Sequence, residues 1–335
     1  MPIPVLFIAA GIGTGLFGVG KGIKAGVDQN KANSTNNAAE YVIERSKDKI
    51  NSARKNCGKA IDTLGEKKIE ILDVSIKNFI NEFEKLNHVE LSESTGLNEL
   101  QKLVVDKKSF SDLKELQGMA SSMVGGIATG AMAGALTAFG AYGAAGALAT
   151  ASTGTAIASL SGAAATNATL AFFGGGSLAA GGLGMAGGTA VLGGLVAGPA
   201  LAVLGVVLGA KASKNLDNAK SNYAKAQEFE EEMNAASDLC YGIRRRSVMF
   251  HRFLIQLQTV FDPMVYEMSQ IIATKGCDFR TYNEEERNCI ASSMAIAGAI
   301  KAVLDTPILD NDGNLTKESG KIISTTQKKV ETVLS

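Results

Sequence analysis

Residues 116–140 read LQGMASSMVGGIATGAMAGALTAFG, and the chain continues from there without an Asp, Glu, Lys, Arg or His as far as Ala210. Glycine and alanine dominate this stretch, which we call the apolar block (residues 116–210). A membrane-spanning helix needs about 20 apolar residues, so roughly 95 uncharged residues are long enough to cross a bilayer several times. Ala, Gly, Ser and Thr, however, contribute little insertion energy, whereas Leu, Ile, Phe and Val drive insertion. The composition therefore suits both a protein interior and a lipid bilayer.

Glycines at four-residue spacing recur along the apolar block. Small residues at this spacing let two helix backbones approach closely. Clusters of Gly, Ser and Thr near 152–154 and 174–176 are expected to break the block into helical hairpins. We predict close helix packing through these glycines: Gly126, Gly130, Gly134, Gly184, Gly188, Gly194, Gly198, Gly205 and Gly209.

Charged segments with a helical apolar repeat lie on both sides of the apolar block. In each segment, apolar residues recur at alternating steps of three and four, which is the pattern of an amphipathic helix. We predict long helices at about 36–90 and 212–275, the first capped by polar residues at 33–36, and shorter helices at 284–304 and 316–334. No strand-like alternation stands out, so the predicted fold class is all-α.

The apolar stripes of the two long helices need partners. We expect these helices to pack antiparallel on each other and on the apolar block, because antiparallel neighbours are the simplest way to cover both stripes. The predicted architecture is an elongated bundle of long amphipathic helices, of coiled-coil character, packed with a Gly/Ala-rich apolar helical-hairpin block.

Composition divides the chain into four regions. These are an apolar glycine-rich N-terminal segment at 1–27, an amphipathic helical region at 28–115, the apolar block at 116–210, which we predict to insert into membranes, and a C-terminal helical region at 211–335. The N-terminal segment repeats the glycine spacing of the apolar block, and we expect it to pack against that block. No Lys or Arg precedes its apolar run, which favours cytoplasmic synthesis without a Sec signal.

No motif for catalysis, a cofactor or a metal stands in the context that its chemistry requires. A GxxxxGK match at 15–21 is followed by Gly22 where a magnesium-binding Ser or Thr is needed, and GxGxxG matches at 13–18 and 182–187 open no βαβ unit. His88 and His251 have no partner at ligand spacing. We therefore predict a protein that is not an enzyme and that has no catalytic, cofactor-binding or metal-binding residues.

Charge and cysteine content bound the partners further. The net charge is zero, so the chain as a whole has no attraction for nucleic acid. The basic cluster Arg244, Arg245 and Arg246 is a candidate contact for lipid phosphates, and pairing with acidic residues of a neighbouring helix is an equally good interpretation. The four cysteines show no CxxC spacing, which favours free thiols, with a Cys277–Cys289 bridge as the alternative.

The sequence resembles two groups of proteins. The stretch from Ala151 to Gly182, with the opening residues 1–4 and the segment 304–309, resembles glycine-rich (glycine-zipper) helical proteins of bacteria that carry no assigned function. An apolar hairpin between long amphipathic helices is also similar in plan to α-helical pore-forming toxins and to apolipoprotein-L-type proteins. Neither resemblance brings catalytic residues, and the second implies toxin-like membrane activity.

Together, these observations predict a membrane-active protein that inserts the apolar block conditionally and forms a homo-oligomer that permeabilises a lipid bilayer. The protein would be membrane-associated in its active state, and its soluble form would cover the apolar block with the stripes of the long helices. The alternative is a non-lytic helical scaffold or adaptor, membrane-anchored or soluble. In that alternative the block is a buried core or an anchor, and the long helices bind a protein partner.

Overall fold

The computed structural model describes residues 21–89, 107–127, 139–141, 216–309 and 315–334. In these ranges there are six α-helices and no strand beyond two isolated bridges, which confirms the all-α prediction for the described part of the chain. The helices are α1 (Lys21–Ile71), α2 (Lys77–Phe83), α3 (Lys107–Ile127), α4 (Leu216–Lys275), α5 (Glu284–Asp305) and α6 (Lys317–Leu334). A π-helical turn, Leu72–Ile76, joins α1 to α2, and a 3-10 turn, Phe279–Thr281, lies between α4 and α5.

The start of the first long helix differs from the prediction. Helix α1 already includes Lys21 and runs through residues 33–36, so the predicted cap at these residues is wrong. Their polar groups are satisfied on the helix surface instead: the Ser34 hydroxyl donates to the Lys31 carbonyl at 3.0 Å, and the Gln29 amide donates to Asn33 at 3.1 Å. Such local bonds let Ser and Asn occupy a helix interior without ending it.

The end of α4 and the start of α5 are set by short-range sequence signals. Helix α4 ends at Lys275, and the following Gly276 has a φ of +83°, a left-handed conformation that glycine adopts readily. Helix α5 begins with a capping box, in which Asn283 accepts from the Glu286 N–H and Glu286 accepts from the Asn283 N–H. Both boundaries agree with the predicted positions.

The chain divides into two compact units, one comprising 1–46 with 203–231 and the other 47–202 with 232–335. In the first unit, Asn222 donates to Asn36 at 3.2 Å and Arg45 pairs with Glu230. Because the partner numbers rise together, α1 and α4 run parallel in this unit.

The second unit shows the same direction. Lys49 donates to Asn234 at 2.7 Å, and further along both helices Lys67 donates to Gln258 at 2.6 Å. The expected antiparallel pairing is therefore wrong in both units. The preference for antiparallel neighbours comes from short connections. Here the connection between the helices includes the whole apolar block, and a connection of that length can return to the starting end.

An aromatic cluster forms part of the core of the second unit. The Phe79 ring lies 5.5 Å from Phe83, 6.4 Å from Phe110 and 5.5 Å from Phe261, measured between ring centroids. Helix α3 packs on the π-helical turn, where Ser121 donates to Asp73, and α6 packs on α5. The cluster thus connects α2, α3 and α4.

We expect Phe79→Ala to lower the free energy of unfolding by about 3–5 kcal/mol, because Phe79 is fully buried and its removal leaves a cavity. Val74 lies on the adjoining π-helical turn but is 48% exposed, so Val74→Ala should change stability by less than about 1 kcal/mol. Urea unfolding of both variants measures the difference. Equal losses in the two variants would contradict the assigned core.

Candidate functional site

A lysine lies in the interior of the second unit. Lys68 is 0% exposed on α1 and follows Ile61 and Leu64 at helical spacing, so it occupies a position in the apolar stripe of the helix. A fully buried lysine is rare and destabilising unless its polar head finds partners. The burial of this residue was not predicted from the sequence. Its place in the register of the stripe was the signal that could have identified it.

The partners of Lys68 are backbone groups of the apolar block. Its Nζ donates to the Phe139 carbonyl at 3.0 Å and to the Gly140 carbonyl at 3.3 Å, and it lies 5.4 Å from the centre of the Phe139 ring. Residues 139–141 form a short helical segment and are buried. Lys68 therefore binds this segment of the block mainly through its main-chain carbonyls, with the Phe139 ring beside the amine.

The same segment approaches the backbone of α1 closely. A Cβ atom on Gly140 would lie 2.4 Å from the Ile61 carbonyl oxygen, a distance that real contacts do not reach. On the other side, the N–H groups of Ile308 and Leu309 donate to the Ala141 carbonyl at 2.8 and 3.1 Å. Residues 139–141 are thus held between α1 and the segment that follows α5. We call this arrangement the docking site.

The electrostatics of the docking site favour a neutral lysine. Burial lowers the pKa of Lys68 to about 7, and the Asp305 carboxylate opposes this shift only in part. Asp305 is itself paired with Lys301 at 2.5 Å, and Lys301 lies 3.8 Å from the Asp112 carboxylate. A neutral amine keeps two N–H groups, which is the number that the two carbonyls accept.

Most of the glycines predicted to pack helices lie outside the described residues. These are Gly130, Gly134, Gly184, Gly188, Gly194, Gly198, Gly205 and Gly209. Gly126 lies in α3, the helix that begins at Lys107 in the charged region and continues into the apolar block. The buried side chains of Leu116, Met119 and Ala120 show that the first residues of the block belong to the core of the unit.

The basic cluster on α4 is divided between two environments. Arg244 and Arg245 are exposed, whereas Arg246 donates to the Ser319 hydroxyl of α6 at 3.1 Å. Arg246 also lies against Gly320, where an added Cβ would come within 2.9 Å of its guanidinium. Packing against α6 therefore engages one of the three arginines and leaves the other two open to solvent.

The remaining candidate groups are not assembled into a reactive site in the described ranges. His88 is exposed and lies 3.5 Å from Asp278, while burial and the nearby Lys67 lower the pKa of His251. The four cysteines are free thiols, so the Cys277–Cys289 bridge is not formed. The part of the chain that the structure describes holds no cluster of His, Cys, Asp or Glu suited to a metal ion.

One described helix is long and apolar enough to cross a membrane. It is α5, and most of its apolar window is buried inside the protein, as in the core helix of a globular protein. The chain matches no protein-family model, no curated protein and no solved structure. The docking site and the sequence of the block are therefore the two features that bear on function.

We expect Gly140→Ala to destabilise the second unit by about 1–3 kcal/mol, because the added methyl group overlaps the Ile61 carbonyl and forces residues 139–141 away from α1. Gly118→Ala is the matched control. Gly118 lies in the same apolar block, on α3, with open space around its Cα, so alanine should stabilise the helix by up to about 1 kcal/mol. Thermal unfolding compares the two. A neutral Gly140→Ala variant would contradict the close approach.

The pH dependence of stability should reveal the buried amine. The pKa of Lys68 is about 7 in the folded protein against an ordinary value of 10.5. Between these values the unfolded chain binds a proton that the folded protein does not. Folding stability therefore rises with pH, by up to about 1.4 kcal/mol per pH unit. Below about pH 7 both states are protonated, and the contribution of Lys68 stays constant.

The measurement is the free energy of unfolding of the wild type and of Lys68→Met between pH 6 and 9.5. Methionine has a similar length and does not titrate, so the difference between the two proteins removes the contributions of Asp305, Lys301 and Asp112. We expect this difference to be flat below pH 7 and to grow in favour of the wild type above it. A difference that is constant across the range would mean that Lys68 keeps its ordinary pKa.

Proposed function

We propose that the protein is a conditionally membrane-active protein that holds its apolar block in the docking site at rest and transfers the block to a lipid bilayer when activated. The observation that carries this proposal is the binding of residues 139–141 by a fully buried lysine. The uncharged sequence from Leu116 to Ala210 supplies enough length to span a bilayer.

The resting state is supported by the completeness of the docking site. The carbonyls of Phe139, Gly140 and Ala141 all accept hydrogen bonds from the surrounding body. Buried backbone groups need such partners, and a segment with all its carbonyls satisfied can remain inside the protein. Phe139, only 4% exposed, adds apolar burial to these bonds.

Release is supported by the free-energy cost of burying the Lys68 amine in the docked state. A pKa lowered from 10.5 to about 7 corresponds to about 5 kcal/mol of lost amine solvation at or below neutral pH. Transfer of residues 139–141 into lipid would keep Phe139 in an apolar environment and return Lys68 to water. Against this gain, the carbonyls of residues 139–141 would lose the hydrogen bonds that Lys68, Ile308 and Leu309 donate to them. The two effects oppose each other, so the two states can lie close in free energy.

The later steps of the proposal come from the sequence. Glycines at four-residue spacing, such as Gly126, Gly130 and Gly134, would pack inserted helices against one another or against a second copy of the chain. The inserted form would be a homo-oligomer that permeabilises the bilayer, with Arg244 and Arg245 free to meet lipid phosphates. The resemblance to α-helical pore-forming toxins supports this plan by analogy alone.

Dye release from phosphatidylcholine vesicles with and without an anionic lipid tests the function. We expect Gly140→Ala to raise vesicle binding and leakage several-fold, because it weakens the docked state. Gly118→Ala is again the matched control and should behave as the wild type does. We expect Gly130→Leu to lower leakage, because a large side chain blocks the close helix approach.

The proposal fails if neither the wild type nor Gly140→Ala binds or permeabilises vesicles at any lipid composition or pH. Aggregation of Gly140→Ala without vesicle binding would favour the alternative function, a non-lytic scaffold whose apolar block is a permanent core. The burial of Leu116, Met119 and Phe139 is the observation that favours this alternative. Cell fractionation adds a second criterion, since a protein that never reaches the membrane fraction fits the scaffold.

A further inference from the structure

Two buried cysteines face each other across the two long helices. Cys57 of α1 is 2% exposed and Cys240 of α4 is 5% exposed, and their thiols are close enough to shift each other's pKa in opposite directions. Both residues belong to the second unit, where Lys49–Asn234 lies on one side of the pair and Lys67–Gln258 on the other. The parallel register of the helices therefore brings together two thiols that are far apart in sequence.

We propose that Cys57 and Cys240 are a redox modification site, at which a hydroperoxide converts the two thiols into a disulfide that cross-links α1 to α4. The geometric basis is the parallel register of α1 and α4, which places two buried cysteines opposite each other. A disulfide needs Cβ atoms about 3.8 Å apart and an S–S distance of about 2.05 Å. Residues that face each other across two packed parallel helices are placed to reach this geometry.

The surroundings assign different roles to the two sulfurs. Interaction with the Cys57 thiol and the nearby Arg54 guanidinium both lower the pKa of Cys240 below its ordinary value. Interaction with Cys240, together with burial, raises the pKa of Cys57. Because the thiolate is the nucleophile in thiol chemistry, Cys240 reacts first and Cys57 resolves the intermediate.

The chemistry balances with one peroxide for each disulfide. The Cys240 thiolate attacks one oxygen of hydrogen peroxide, the O–O bond breaks, and the departing hydroxide takes up a proton to leave as water. This gives a sulfenic acid on Cys240. The Cys57 sulfur then attacks the Cys240 sulfur, the S–O bond breaks, and the hydroxyl leaves as a second water with the Cys57 proton. Two thiols are oxidised, and one peroxide is reduced to two waters.

The other two cysteines provide an internal comparison. Burial and the nearby Glu267 raise the pKa of Cys289 to about 12, and its thiol donates to the Met264 carbonyl at 3.7 Å. Cys289 is therefore a poor nucleophile. Cys277 lies beyond the end of α4, where its carbonyl accepts from the Asn87 N–H. A Cys57–Cys240 bridge, by contrast, would join α1 and α4 in their observed register and enclose the whole apolar block within one covalent loop.

The experiment uses the full-length protein, reduced and then treated with hydrogen peroxide. We expect the number of titratable thiols to fall from four to two per chain, with a Cys57–Cys240 peptide as the main linked product in mass spectrometry. Dithiothreitol should restore all four thiols. The bridged chain should also migrate faster than the reduced chain on a denaturing gel without reductant, because the loop keeps it compact.

Five variants sharpen the assignment. Cys57→Ser and Cys240→Ser should each abolish the mobility shift, whereas the double variant Cys277→Ser, Cys289→Ser should retain it. Arg54→Gln should slow bridge formation several-fold and leave the product unchanged, because it removes the cation beside the Cys240 thiolate. Arg54→Lys should restore part of the rate.

The mapping of the wild-type protein decides the proposal even if a serine variant does not fold. Four thiols that survive peroxide in the folded protein would overturn it. A bridge that involves Cys277, links between two chains, or oxidation of Cys240 to a sulfinic acid without a bridge would also overturn it.

Discussion

The docking of residues 139–141 depends on one interaction, the hydrogen bonds from a buried lysine amine to two main-chain carbonyls. Lys68 replaces water for the Phe139 and Gly140 carbonyls, and they replace water for the amine. The burial of the amine and the burial of the two carbonyls depend on each other, since an unpaired amine or an unpaired carbonyl inside a protein costs several kcal/mol. The close packing of Gly140 on the Ile61 backbone accompanies this pairing and brings the same segment against α1 at a second point.

The parallel course of α1 and α4 within each unit gives the connection between them its importance. A parallel helix pair needs a connection that returns to the starting end, and here the apolar block is part of that connection. In the second unit the returning chain contributes α3, which packs on the π-helical turn, and residues 139–141, which occupy the docking site. The described residues of the block thus pack on α1 and on the π-helical turn that follows it. Any transfer to a membrane would have to occur with those connections intact.

The sequence was informative where a short-range rule decides the structure. The end of α4 at Gly276, the start of α5 at Asn283 and the amphipathic stripes are local in origin, and they were predicted correctly. The polar residues 33–36 misled because cap-forming side chains can also bond within a helix. Helix direction, the docking of Phe139 and the Cys57–Cys240 contact arise between segments more than 70 residues apart, and no local pattern encodes such pairings. Lys68 is an intermediate case, since its position in the stripe was visible and its partners were not.

A lysine in the apolar stripe is a poor choice for stability alone. Replacing a buried polar group by a well-packed apolar one is often neutral or stabilising, so a permanent core would be served as well by Leu or Met at position 68. A lysine would differ from those residues in its response if the block left the docking site. Leu or Met would expose apolar surface to water on release, whereas Lys68 gains solvation and charge. A lysine at position 68, compared with Leu or Met, therefore lowers the free energy of the released state as well as raising that of the docked state. Both effects act toward a small gap between the two arrangements, as a conditional change of environment requires.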